Sequence, residues 1–257
     1  MSDNAKLASE LPVILIGASG SIGVSILERL LSEGFSVHGT VRTESAISLL
    51  RQRFPSDSAS FSLLDVTNFS QIHDLVNRVA LRAGGILGMV YSAGLQMRAP
   101  LHEFTEEQMS NLIAVNLTGA FVASQASLTH MVPKRNGRFV FVGSLTAKFA
   151  IKGIAPYAMA KSGLSSLARS IAVEYGSAGI TANSVLPGRI ESKMIADVLS
   201  DERSEITLSR IPAGRLGQPE DVSHSVAFLM SEHSSYINGS ELVVDGAWLG
   251  GGGNISG

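Results

Sequence analysis

The chain has 257 residues, 45% of them hydrophobic and 16% charged, with mean hydropathy +0.24, a formal net charge of −2 and no cysteine. This length suits one large α/β domain with a substantial core, and the lack of cysteine excludes disulfides and thiolate metal sites. With no long basic run, neither nucleic acid nor an anionic membrane surface is expected as a partner.

The start, "MSDNAKLASE", is polar and lacks the apolar centre of a secretory signal. No run of roughly 18 uninterrupted apolar residues follows it. A cytoplasmic protein is therefore expected. Residues 1–10 read as a flexible tail, 11–249 as a single domain, and 250–257 as a glycine-rich mobile tail.

Short apolar runs rich in Val and Ile alternate with longer amphipathic stretches. Strands are expected at "VILIG" from Val13, "SVHGTVR", "FSLLDV", "ILGMVYSAG", "GRFVFVGS", "ITANSVLPG" and "SELVVDG". Helical patterns lie between them, including Ile22–Ser32, Phe69–Arg82, Glu106–Met131, Ala158–Tyr175 and Glu220–Ser231. Such alternation predicts an α/β fold, a doubly wound parallel sheet of about seven strands with helices on both faces. The stretch 189–218 breaks the alternation. Placed after the sixth strand, it is expected to form a substrate loop beyond the carboxyl ends of the strands.

"VILIGASGSIGVSILERLL" reads strand, tight turn, helix, with Gly17, Gly20 and Gly23 three residues apart at the junction. Such a turn brings backbone close to a pyrophosphate and aims a helix N-terminus at it. A β–α turn without a ligand gives the same pattern. About 20 residues on, Arg42 stands where NAD-binding chains carry an acid. It is either a partner for the 2′-phosphate of NADP or a solvated surface arginine. Tyr157 and Lys161 in "YAMAK" lie four apart, so a helix would set them on one face. By themselves they read as well as an amphipathic surface pair.

Taken together the chain resembles the short-chain dehydrogenase/reductase family from about Val13 to Trp248. The resemblance rests on "GASGSIG", Asp65–Val66, "SAG" (Ser92, Ala93, Gly94), Asn116, Ser144, Tyr157 with Lys161, and Pro187–Gly188. Three positions, in two motifs, depart from the family pattern. Ser21 replaces the middle glycine of the turn, Ile16 its threonine, and Ser92 the asparagine of Asn-Ala-Gly. The resemblance implies a Rossmann-type fold and cofactor contacts at Gly17, Ser19, Gly20, Ser21, Ile22, Gly23, Arg42, Asp65, Val66, Ser92, Ala93, Gly94, Tyr157, Lys161, Pro187, Gly188, Ile190 and Ser192. NADP(H) is the expected carrier, with NAD(H) as the alternative.

The resemblance further implies that Tyr157 exchanges a proton with a substrate oxygen. Lys161 lowers the phenol pKa and bonds the nicotinamide ribose, Ser144 bonds the substrate oxygen, and Asn116 holds a water in a proton relay. The second half is similar to 3-oxoacyl-acyl-carrier-protein reductases, which points to a ketone substrate, carrier-bound or small, and to a homotetramer. Arg135 falls where that branch uses a basic residue for the carrier, whereas Ala178 replaces its second arginine. Arg189, a further substrate contact, follows Pro-Gly where an apolar residue is usual and suits an anionic small substrate. His102, His130 and His224 stand without ligand-spaced partners, so no metal is expected. Asp201–Glu205 reads as a solvated helical face, and Trp248 as core or interface. A catalytically silent dinucleotide-binding sensor or scaffold is the competing class.

Overall fold

A computed structural model describes residues 11–191 and 208–251. Seven strands form one parallel sheet: β1 (Val13–Ile16), β2 (Val37–Val41), β3 (Ala59–Leu63), β4 (Gly88–Tyr91), β5 (Gly137–Val142), β6 (Ile180–Pro187) and β7 (Glu241–Val244). Their order is β3-β2-β1-β4-β5-β6-β7, with every neighbouring pair parallel. The order reverses between β1 and β4. In sheets of this kind such a reversal sets a crevice beyond the carboxyl ends of the strands, the usual ligand position.

The central strands are mostly apolar because both faces are covered. Along β1, Ile14 and Ile16 join one core while Val13 and Leu15 join the other. Phe139 and Phe141 of β5 face the first core, and Val140 and Val142 the second. Fully burying each such side chain contributes about 1.5–3 kcal/mol. The first core is closed by α3 (Phe69–Ala83), α5 (Gly119–Met131) and α6 (Ala155–Tyr175). The second is closed by α1 (Ser21–Ser32), α2 (Glu44–Arg53) and α7 (Pro219–Met230).

Three departures from the expected elements have physical causes. The sequence reading names no helix at α2, whose inward face is only Ile47 and Leu50. The helix expected from Ala158 begins at Ala155, because Pro156 fits the first turn, where its missing N–H is no loss. The helix expected over Glu106–Met131 is interrupted. After α4 (Glu106–Ile113), residues Ala114–Thr118 form a π turn before α5 resumes. That whole span is long and apolar enough by composition to cross a membrane, yet half of its most apolar window is buried inside this fold.

The expected tail 1–10, residues 252–257 of the expected tail 250–257, Ser192, the Asp201–Glu205 run and most of the 189–218 segment lie outside the described residues.

His38, on β2, is buried with its Nδ1 2.8 Å from Ser60 Oγ, while Nε2 finds no partner. Burial, followed by the charges of Arg78 and Arg82, lowers its pKa to about 4. The unfolded chain therefore binds more protons than the folded one between pH 6.5 and about 4. Stability should be intact above that window and fall within it by up to about 1.4 kcal/mol per pH unit. Urea midpoints measured from pH 7.5 to 4.5 should show this slope, and His38→Gln should flatten it.

Candidate active site

The floor of the crevice is made by two backbone segments in contact. Gly17, at φ +90°, ends β1, and its N–H donates to Thr40 Oγ1 at 3.3 Å. A Cβ on Gly17 would lie 2.6 Å from the Ala93 nitrogen, so only glycine lets the turn approach the Ser92–Gly94 segment after β4. Ser92 N–H donates to the Ile16 carbonyl at 2.8 Å and locks the two segments together. Gly23 is equally constrained, since its Cβ would meet the Gly17 oxygen at 2.1 Å. Gly20 differs: at φ −73° with open space around it, it only caps α1.

That cap leaves the first N–H groups of α1, from Ser21, Ile22 and Gly23, at a helix N-terminus without an acidic side chain in its first turn. Exposed Ser19 and Ser21 flank it. The departure of Ser21 from the family pattern is thus harmless to the backbone, because the steric demands fall on Gly17 and Gly23. At the next strand end, Arg42 is exposed and close enough to Asp65 to help hold its carboxyl below the usual range. The larger cause is Thr67, which donates to Asp65 from its N–H at 2.9 Å and its hydroxyl at 2.7 Å. Buried Val66 follows. Glycine cradle, free helix terminus and Arg42 together fit a phosphorylated dinucleotide.

The reacting end lies past β4 and β5. Asn116 is fully buried in the π turn, where its Oδ1 accepts from Leu95 N–H at 3.2 Å. Its amide donates to the carbonyls of Leu95 at 2.7 Å and Leu112 at 2.9 Å. Both amide hydrogens are therefore committed to backbone, and Asn116 clamps the segment after Gly94 to the helix. Tyr91 holds the turn from the sheet side, with its hydroxyl donating to the Val115 carbonyl at 2.6 Å. Nothing in the sequence marks Tyr91 for this role, because its partner is 24 residues away.

Lys161, on α6, is buried and donates to the Val142 carbonyl at 2.8 Å. Burial lowers its pKa to about 8. Its Nζ lies 5.6 Å from the centre of the Tyr157 ring. Ser144, just beyond β5, accepts from Thr146 N–H at 3.2 Å. It also bonds the Tyr157 phenol and draws that pKa down, but burial of the phenol outweighs this and pushes it up. The expectation that Lys161 would dominate and acidify the phenol is corrected here. Burial lowers the pKa of the ammonium as well, and one of its donors is spent on Val142. The resting phenol is protonated.

The walls of the cleft hold residues that sequence reasoning treated differently. Arg98, on the loop after β4, packs on Gly153, and Ala99 N–H donates to the Gly153 carbonyl at 3.0 Å. Arg189 follows Gly188, which presses against Asp245 after β7, and Ile190 behind it is buried. The Arg189 guanidinium stacks 5.4 Å from the centre of the Trp248 ring, whose other neighbour is Phe149, 5.9 Å away. Burial and the nearby charge of Arg98 both depress the Arg189 pKa. Arg98 escaped the sequence reading because a single arginine in a polar loop has no periodicity to mark it.

Arg135 takes a different place. It precedes β5 and donates to the Ser177 carbonyl at 2.6 Å. Ser144 follows the opposite end of that strand, about 20 Å away at 3.3 Å per residue. Arg135 therefore does not line the cleft of its own chain.

A family model described as enoyl-(acyl-carrier-protein) reductase matches residues 17–248. The chain is a short-chain dehydrogenase/reductase. It is accordingly an NAD(P)-dependent oxidoreductase. A Vibrio cholerae 3-oxoacyl-[acyl-carrier-protein] reductase is 37% identical over 91% of this chain and 95% of its own. A Gluconobacter oxydans gluconate 5-dehydrogenase is 32% identical over 91% and 92%. Among solved structures, a Burkholderia cenocepacia gluconate 5-dehydrogenase in complex with NADP and tartrate superposes with a TM-score of 0.89 at 30% identity, covering 93% of this chain and 95% of that one.

Within this short-chain dehydrogenase/reductase the glycine contrast is testable. Gly17→Ala and Gly23→Ala should each lower the melting temperature by several degrees and weaken dinucleotide binding. Gly20→Ala should leave the melting temperature within about a degree, read by thermal denaturation alongside cofactor titration.

Proposed function

We propose that this enzyme is an NADP(H)-dependent reductase of a small ketone carrying a carboxylate, working in reverse as a dehydrogenase of the corresponding hydroxy acid. One observation carries the substrate class. Arg98 lies near enough to Arg189 for its charge, after burial, to lower the Arg189 pKa. Neither pairs with a carboxylate among the described residues. Two neighbouring guanidiniums without a carboxylate partner among the described residues would be relieved by an anionic substrate. Gluconate 5-dehydrogenases among the relatives act on such an acid, by their names. The 3-oxoacyl thioester remains a second reading, favoured by the 37% identity to the Vibrio cholerae enzyme. The place of Arg135 weighs against it within one chain.

NADP(H), when bound, supplies or accepts the hydride. Gly17, Ser19, Gly20, Ser21, Ile22 and Gly23 would hold its pyrophosphate, and Arg42 its 2′-phosphate. Asp65 and Val66 would flank its adenine, Ser92, Ala93 and Gly94 would lie along its ribose side, and Pro187, Gly188, Ile190 and Ser192 would hold the nicotinamide end. In reduction the Tyr157 phenol, kept protonated by its burial, gives its proton to the ketone oxygen as negative charge develops there. Ser144 donates a hydrogen bond to the same oxygen. The Lys161 ammonium stabilises the phenolate left behind and bonds the nicotinamide ribose. Asn116 keeps one free lone pair on Oδ1 to accept from a relay water, while its amide holds the wall in place.

All four groups of the catalytic set are present and gathered, which weighs against a silent sensor or scaffold. The exposed Met159 and Val173 on one face of α6, with exposed Phe121 on α5, support a homotetramer.

Tyr157→Phe should retain dinucleotide binding and lose turnover by at least about a thousandfold. A silent binding protein would show no turnover to lose. With NADPH, oxo acids should outpace their methyl esters and an acetoacetyl thioester, and Arg98→Ala or Arg189→Ala should reduce that preference about tenfold or more. Equal turnover of acid and ester in wild type and variants would discard the carboxylate. Lys161 is charged below its pKa of about 8 and discharges above it. Reduction should therefore decline above that pH, and Lys161→Arg should move the decline upward in a pH–rate profile.

A further inference from the structure

Trp248 is the only tryptophan in the chain, and it sits on an unusual piece of backbone. After β7 the chain turns sharply at Asp245. The carboxylate of Asp245 accepts from Ala247 N–H at 2.8 Å and from Leu249 N–H at 2.7 Å. Between those two bonds, Ala247 adopts φ +70°, a left-handed conformation that an alanine enters only when its surroundings force it. Gly246 carbonyl accepts from Ala213 N–H at 3.1 Å, and Ala247 carbonyl accepts from Gly251 N–H at 2.9 Å, so the turn is fastened on both sides.

This turn keeps the indole out of both cores. One neighbour is Phe149, on the segment joining Ser144 to Tyr157, and the other is the Arg189 guanidinium. Arg189 has no carboxylate partner among the described residues, and the nearby charge of Arg98 adds to burial in lowering its pKa. Left alone, a long flexible side chain in that position would swing away toward water. The indole face supplies a counter-attraction through its quadrupole and a flat surface that limits rotamers. The turn is tied in turn to the strand end that carries Arg189, because Gly188 lies so near Asp245 that a Cβ there would be 2.8 Å from the Asp245 Cα.

We infer that Trp248 is a specificity-determining positioning residue. Stacked between Phe149 and Arg189, it holds the Arg189 guanidinium over the cleft opposite Arg98, so that the pair receives a substrate carboxylate. The inference rests on the carboxylate reading above and adds the part that sets the geometry of the receptor.

The sole tryptophan makes a direct test available on the full-length chain. Emission of wild type and Arg189→Ala is compared first, without substrate. A guanidinium stacked on the indole should make the two spectra differ in intensity or maximum, and identical spectra overturn the inference. Binding of D-gluconate and of sorbitol, its uncharged counterpart, is then measured by calorimetry in the presence of NADP⁺.

Wild type should prefer gluconate. Trp248→Leu should lose roughly three- to tenfold of that preference, Trp248→Phe should restore most of it, and Trp248→Leu combined with Arg189→Ala should lose no more than Arg189→Ala alone. A uniformly structural role for Trp248 would instead weaken both ligands together, which overturns the inference. If Arg189→Ala loses the preference while Trp248→Leu keeps it, the inference falls and the carboxylate reading stands. If wild type shows no preference, the carboxylate reading falls and takes the assignment of Trp248 to specificity with it.

Discussion

The hydrogen bond from the buried Lys161 ammonium to the Val142 carbonyl is the contact on which the rest of the site depends. It joins the longest helix, α6, to the last residue of β5, and so fixes how α6 is rotated about its axis. Tyr157, one turn earlier on that helix, is thereby brought to Ser144, two residues past the strand. Burying an amine is costly, and the cost shows as a pKa lowered to about 8.

Phenol and amine divide the work in an unexpected way. Isolated, the pair suggests a cation acidifying its neighbour. In the folded protein, burial acts on both groups and favours the neutral form of each. The phenol thus keeps the proton needed for donation, and the amine is poised near its own midpoint, responsive to any negative charge that develops beside it. The same low-polarity setting accounts for the demand on Asn116 and Tyr91. Their hydrogen bonds hold a π turn whose backbone groups would otherwise be left unsatisfied.

Much of this was legible in the amino-acid order. Six strands stand where short apolar runs put them, because a parallel sheet buried on both faces is rich in Val, Ile and Phe; β3 (Ala59–Leu63) lies earlier than the expected "FSLLDV", since this half-exposed strand has only Phe61 buried. Helix positions followed from the 3.6-residue pattern, apart from the earlier start of α6, the break between α4 and α5, and α2, where two buried residues are too few to show it. What stayed hidden depends on contacts between distant segments. The π turn shifts the helix ladder by one residue without changing composition, and its anchor comes from β4. The roles of Arg98 and Trp248 exist only once the loop after β4, the Ser144–Tyr157 segment and the turn after β7 meet. Trp248 read as core or interface from sequence, since no local signal reports the left-handed residue that redirects it.

The backbone contact between Gly17 and Ala93 has one more implication. The floor of the crevice is two main-chain segments pressed together, with no side chain between them to exchange for another. Substitution there has almost no neutral room, whereas Arg98, Phe149, Arg189 and Trp248 all hang from loops outside the sheet. A lineage built on this plan can therefore redraw its appetite for acids, sugars or thioesters by changing a few rim residues while the electron-carrying half of the enzyme stays as it is.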